Sequence, residues 1–125
     1  MDARKIATLA VHAGSRSDES GGWRATMPPV HHSVSYSYER MADLDAVFEG
    51  KAEGYLYGRY ANPTVVALEK AVAALEGAEA AVAYASGMAA VHGALLGAGV
   101  GVARGLVCAA DVYGATRGLI DGVMA

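Results

Sequence analysis

Three short stretches combine residue types and spacings that can do ligand chemistry. In YASGMAAVHGALLG (84–97), Ser86-Gly87-Met88 stands where an apolar run gives way to an Ala-rich segment with helical spacing. Amides at a helix N-terminus lack intrahelical acceptors and carry a partial positive charge, so an anion, phosphate above all, is well placed there. Gly87 lets the main chain approach such a ligand closely. The commoner role of a Ser-Gly pair is a cap and a turn, and the stretch has neither the Gly-Lys-Ser/Thr of a phosphate loop nor the spaced glycines of a dinucleotide turn. Asp111-Val112-Tyr113-Gly114 marks a similar junction after a second apolar run. In YLYGRYANPT (55–64), Tyr57 and Arg59 are two apart, which on an extended segment puts phenol and guanidinium on one face, a good pair for phosphate oxygens. A solvent-facing arginine beside packing tyrosines fits the same spacing.

The elements that must carry these residues fall into two regions. Residues 1 to about 60 show little sustained periodicity, with turn signals at GSRSDESGG, Pro28-Pro29 and GKAEG, and read as an extended arm with a short helix at 40–49. From Asn62-Pro63 the pattern changes. Asn caps, Pro suits the first helical turn, and Val65, Leu68, Val72 and Leu75 recur at three and four residues to form one apolar face until Gly77 closes the helix. AAVAYA (80–85) predicts a strand buried on both faces, a second helix runs from about Ser86 to Gly97, LVCAA (106–110) predicts another buried strand, and GATRGLIDGVM opens a third helix. Helix, strand, helix, strand, helix is an α/β rhythm, and two buried strands cannot form a stable sheet by themselves, so the pattern reads as the start of a larger domain.

Bulk properties restrict the function. The 125 residues suffice for one domain. Net charge is −3, with basic residues spread along the chain, which excludes the basic stripe of a nucleic-acid footprint. The single cysteine, Cys108, excludes an internal disulfide; within LVCAA it reads as a buried structural thiol suited to reducing, cytoplasmic conditions. No charge occurs between Glu79 and Arg104, a length that would span a bilayer, but Ser86, His92 and five glycines interrupt it, so two buried elements joined by a turn fit better than a membrane helix.

The runs YLYGRYANPTVVALEKAVAALEG, YASGMAAVHGALL and DVYGATRGLI, together with TLAVHAG and MPPVHHSVSYSYE in the arm, resemble the cystathionine γ-synthase/methionine γ-lyase family of pyridoxal phosphate (PLP) enzymes. The likeness covers essentially the whole chain and corresponds to the front portion of a longer family chain. It implies an α/β fold, with an N-terminal arm (1–60) contacting a neighbouring subunit and the start of an aspartate-aminotransferase-like (fold type I) PLP-binding domain (61–125). It implies that Gly87 and Met88 give backbone N–H groups to the cofactor phosphate, with Ser86 beside them as a cap. Tyr57 and Arg59 would reach that phosphate from a neighbouring subunit, and Tyr113 would stack on the pyridine ring and assist proton movement. The implied activity is γ-elimination or γ-replacement on a small amino-acid substrate (cystathionine, O-acylhomoserine or methionine) in a cytoplasmic homo-oligomer, dimer or tetramer, with no membrane, nucleic-acid or metal partner.

Two parts of the family pattern are missing: the lysine that holds the cofactor as an imine and the aspartate that keeps its ring nitrogen protonated. Lys5, Lys51 and Lys70 fall outside the lysine's place in that pattern, so this polypeptide alone is expected not to be catalytically competent. Ala115 stands where methionine γ-lyases commonly carry cysteine, which favours synthase, cystathionine lyase or sulfhydrylase chemistry. The competing reading is a stand-alone, non-catalytic protein that binds the phosphate or pairs with a full-length relative.

Overall fold

The computed structural model describes residues 3–14, 26–101 and 104–124. Five helices follow one another: α1 Ala3–His12, α2 Met41–Phe48, α3 Pro63–Glu76, α4 Gly87–Gly97 and α5 Gly114–Gly122. Contacts divide the chain into two units, Met1–Val82 and Ala83–Ala125.

In the first unit, α3 is bounded as its sequence predicts. Asn62 is extended (φ −133°, ψ 135°), and its Oδ1 accepts from the Thr64 N–H at 2.9 Å; Pro63 opens the helix. Gly77 closes it at φ 64°, a left-handed conformation that other residues rarely adopt. The Asn62 amide also works outward: its Nδ2 donates to the His31 carbonyl at 3.0 Å and to the Tyr36 hydroxyl at 3.4 Å. Thr64 adds to this junction, its Oγ1 accepting from the His31 N–H at 2.9 Å and donating to the Pro29 carbonyl at 3.4 Å. Tyr38 takes the place of a strand partner for Tyr55, its hydroxyl donating to the Tyr55 carbonyl at 3.1 Å and accepting from the Tyr55 N–H at 3.2 Å.

The region expected as an extended arm is partly helical. Helix α1 packs on α3, and α2 spans Met41–Phe48, close to the short helix expected at 40–49. Arg40 precedes α2 and grips the Asp43 carboxylate with two nitrogens, at 3.0 and 2.7 Å, which raises the guanidinium pKa above its ordinary value. GKAEG turns as expected, with Gly50 at φ 71°, whereas residues 15–22 of the GSRSDESGG signal lie outside the described residues.

The expected apolar face of α3 is not the covered one. Val65, Leu68 and Val72 remain exposed, and Ala73 is the buried residue of the helix. Small side chains allow α1 to approach: the Gly14 backbone lies against the Ala67 carbonyl, where a Cβ would clash.

The second unit contains α4 and α5, packed on each other, with Val100 and Met124 buried. Here the two predicted strands need correction. Residues 80–85 and 106–110 form no ladder; among the described residues, pairing is limited to isolated bridges, Ser35 with Tyr57 and Val100 with Arg104. Val82 is 71% exposed and Val107 99% exposed. Cys108, expected inside, is exposed as well. A parallel strand acquires its hydrogen bonds and its burial from neighbouring strands, and among the described residues neither segment belongs to a ladder. Tyr84 instead rests on α4 at Gly93, whose missing side chain makes room for the phenol ring.

Two measurements test this account. Asn62→Ala should lower stability by about 1–2 kcal/mol, and Asn62→Asp, which keeps the capping oxygen but not the outward donor, should lose less; urea unfolding of the three proteins gives the ranking. Tyr55 supplies the second test. Burial, with Tyr36 and Glu53 adding to it, raises its phenol pKa above the ordinary value. Its stabilising contribution is therefore complete below the unfolded phenol's pKa and is lost as pH rises through the folded one. Between about pH 9 and about pH 11 the parent chain should lose more stability than Tyr55→Phe, as followed by circular dichroism.

Candidate functional site

The residues singled out in the sequence lie in two groups, one in each unit. In the first unit, Tyr57 and Arg59 come together differently from the extended-segment expectation. Tyr57 pairs with Ser35, the Gly58 N–H donates to the Val34 carbonyl at 2.7 Å, and the N–H groups of Tyr60 and Ala61 both donate to the Tyr57 carbonyl. The chain thus turns at 58–60 instead of alternating. This turn brings the Arg59 guanidinium over two rings, its Cζ 5.4 Å from the Tyr57 centroid and 5.4 Å from the Tyr60 centroid. A guanidinium placed over aromatic rings is a cation held by their π faces, and its N–H groups are the kind of donor that suits a planar or tetrahedral anion. Sequence reasoning missed Tyr60 as the second ring because it falls on the other face of a strand; the turn is what recruits it.

The turn is held from both sides. The Tyr36 N–H donates to the Leu56 carbonyl at 3.2 Å, and the Tyr36 and Tyr55 rings meet at 5.5 Å. Downstream, the capped start of α3 begins three residues after Arg59. Arg59 thus projects from a short, doubly anchored loop.

The second group heads α4. Ser86 is extended (φ −152°, ψ 155°), and its Oγ accepts from the Ala89 N–H at 3.2 Å. The Ala90 N–H donates to the Ser86 carbonyl at 3.1 Å. With these two amides engaged, those of Gly87 and Met88 remain at the head of the helix, where no intrahelical acceptor exists. Gly87 is exposed, and nothing lies within 4 Å of where a Cβ would be. The helix head is therefore an open backbone cradle, as a phosphate would require. The Met88 side chain is half-buried, and its Sδ accepts from the Thr116 hydroxyl at 3.7 Å. Tyr113 immediately precedes α5, 73% exposed, with no side-chain bond to the helix backbone. One helical turn on, Arg117 Nε donates to Asp121 Oδ2 at 2.6 Å, which raises the guanidinium pKa.

A separate recess lies in the first unit. This recess, of roughly 330 Å³, is lined by His12, His31, Tyr55, Pro63, Val66 and Lys70, among others, and includes none of Tyr57, Arg59, Ser86, Gly87, Met88 and Tyr113. His31 meets α3 through its backbone, so the recess follows from arm packing on the helix. Lys70 lines it, Lys51 pairs with Glu49 at 2.5 Å, and Lys5 is exposed on α1. Among the described residues no helix is long and apolar enough to cross a membrane.

Comparison with known proteins places the chain in a family. The family model for Cys/Met metabolism PLP-dependent enzymes matches residues 7–125. O-succinylhomoserine sulfhydrylase of Pseudomonas aeruginosa is 40% identical over 121 residues, which are 97% of this chain and 29% of the relative. L-methionine gamma-lyase of Pseudomonas putida is 39% identical over 90 residues, 72% of this chain and 22% of the relative. Among solved structures, an O-acetylhomoserine (thiol)-lyase described from Campylobacter jejuni superposes with a TM-score of 0.73 at 29% identity, covering 94% of this chain and 28% of that one; it carries N'-pyridoxyl-lysine-5'-monophosphate. The cystathionine gamma lyase of Micromonospora echinospora gives 0.69 at 34% identity, over 93% and 27%. The chain therefore spans under a third of the length of these relatives, and its neighbours share the PLP-dependent type I fold. The backbone cradle at Gly87 and Met88 fits a phosphate-bearing cofactor, and the match across residues 7–125 makes this chain a member of the Cys/Met metabolism PLP-dependent enzyme family.

Proposed function

We propose that this chain supplies the phosphate grip and the ring-facing tyrosine of a PLP-dependent trans-sulfuration enzyme, one that carries out γ-elimination or γ-replacement on cystathionine, an O-acylhomoserine or methionine. The observation that carries the reading is the head of α4: a serine cap on the Ala89 amide, the Gly87 and Met88 amides before it without an intrahelical acceptor, and no side chain at Gly87. Those two N–H groups and the helix dipole bind the phosphate monoester of the cofactor and fix its register. PLP, when bound, withdraws the electrons released as the substrate loses its α-proton. Tyr113, exposed at the start of α5, would face the ring of the bound cofactor, where its hydroxyl could hold or return a proton.

Tyr57 and Arg59 serve the phosphate of a neighbouring subunit, so the working form is a homo-oligomer, a dimer or tetramer in which the segment 1–60 contacts its neighbour. Two features support this assignment: Arg59 stacks between Tyr57 and Tyr60 on an anchored turn, and the turn is exposed. An exposed lone thiol at Cys108 suits a reducing cytoplasm. Imine formation belongs to a lysine that this chain does not supply: Lys5, Lys51 and Lys70 are a helix-surface residue, a turn residue paired with Glu49, and a residue lining the first-unit recess.

Three outcomes follow. Calorimetric titration should show PLP binding more tightly than pyridoxal, which lacks the phosphate; equal affinities would remove the phosphate grip from the reading. Arg59→Ala should weaken PLP by about ten- to a hundredfold, the loss of charge-assisted hydrogen bonds, and Arg59→Lys should recover only part of it. Borohydride reduction after incubation with PLP should leave no single lysine preferentially labelled; mass spectrometry showing one stoichiometric pyridoxyl-lysine would contradict the assignment of the imine elsewhere.

A further inference from the structure

We propose that Thr116 is a positioning residue for the phosphate grip, acting through Met88. This inference rests on the reading of the α4 head given above and adds to it a residue for which neither the sequence motifs nor that reading provides a role.

The Thr116 hydroxyl donates to Met88 Sδ at 3.7 Å, and both side chains are half-buried in the packing of α4 against α5. Met88 is the second residue of α4, and Thr116 the third of α5. The bond therefore joins the first turns of the two helices rather than their middles, and the residue it grips owns one of the two phosphate-facing amides.

Three observations give this contact more weight than ordinary packing. A glycine precedes Met88, so no side chain at position 87 holds the chain in place. Tyr113 makes no side-chain capping bond, so the start of α5 has no side-chain cap. A thioether is also a weak, soft acceptor on a side chain with three rotatable bonds; left unengaged, Met88 would sample several rotamers. Fixing its sulfur restricts the first turn of α4 and, from the other end of the bond, sets where α5 and its leading residue Tyr113 begin. One hydroxyl thus holds the phosphate-binding amides and the ring-facing phenol in a common frame.

The test compares Thr116→Val, which keeps the branched shape and removes the donor, with Thr116→Ser, which restores a hydroxyl, and with Met88→Leu and the double variant. Circular dichroism verifies that each is folded. Binding of PLP and of pyridoxal is measured in parallel, together with the amide resonances of Gly87 and Met88 by nitrogen–proton correlation spectra. Thr116→Val should weaken PLP about two- to tenfold, leave pyridoxal unchanged and move both amide resonances, while Thr116→Ser restores them. Met88→Leu should match Thr116→Val, and the double variant should be no weaker than either single change. Phosphate-dependent binding in the parent chain that Thr116→Val leaves intact, with unmoved amides, overturns the positioning role alone. Equal affinity of the parent chain for PLP and pyridoxal overturns the phosphate grip itself, and the positioning role with it. Additive losses in the double variant, or a Ser variant as weak as Val, likewise refute the coupling.

Discussion

The side-chain amide of Asn62 is the interaction on which the first unit depends. One atom, Oδ1, ends the search for a helix start by engaging the Thr64 amide; the other, Nδ2, reaches back to His31 and Tyr36. Few side chains can do both, because the task needs an acceptor and a two-proton donor on one short stem. The consequence is that α3 and the segment 29–36 are located relative to each other at the point where the chain leaves the Arg59 turn. Tyr38 extends the same tie by bonding both backbone groups of Tyr55. The stacked guanidinium is therefore fixed by hydrogen bonds on either side of it more than by burial, since among the described residues of this unit Ala73 alone is buried.

The second unit uses a related device at smaller scale. Ser86 engages one donor at the head of α4 and leaves the two before it outside the cap, so this one side chain sets both the helix boundary and the amides exposed at it. Thr116 adds a contact at right angles to this logic, from one helix start to another. Both bonds are individually modest. Their value lies in where they act, because an anion recognised by backbone amides is sensitive to the direction of those amides.

A second constraint is exposed apolar surface. Val82, Tyr84, Leu106 and Val107 belong to segments whose composition suits burial on two faces, and the expected face of α3 is open as well. Family relatives are more than three times as long as the matched region. Helices, whose hydrogen bonds are internal, are complete here, while strands, whose bonds come from neighbours, are not.

Local chemistry was legible from the residues. The caps Asn62 and Ser86, the stop at Gly77, the bounds of α3 and α4, and the open backbone at Gly87 all follow from side-chain groups acting within a few positions of themselves. So did the pairing of Tyr57 with Arg59, although a turn and not a strand accomplishes it, and the same turn recruits Tyr60. Nothing local could announce that α1 would form and dock on α3, that Cys108 would face outward, or that Thr116 would hold Met88 from 28 residues away. The sequence by itself determined which backbone groups were left available for a ligand, because capping is decided by neighbours in the chain. Tertiary structure alone decided which apolar faces were covered and how the helix starts were joined, because burial and long-range hydrogen bonds depend on what other segments bring alongside.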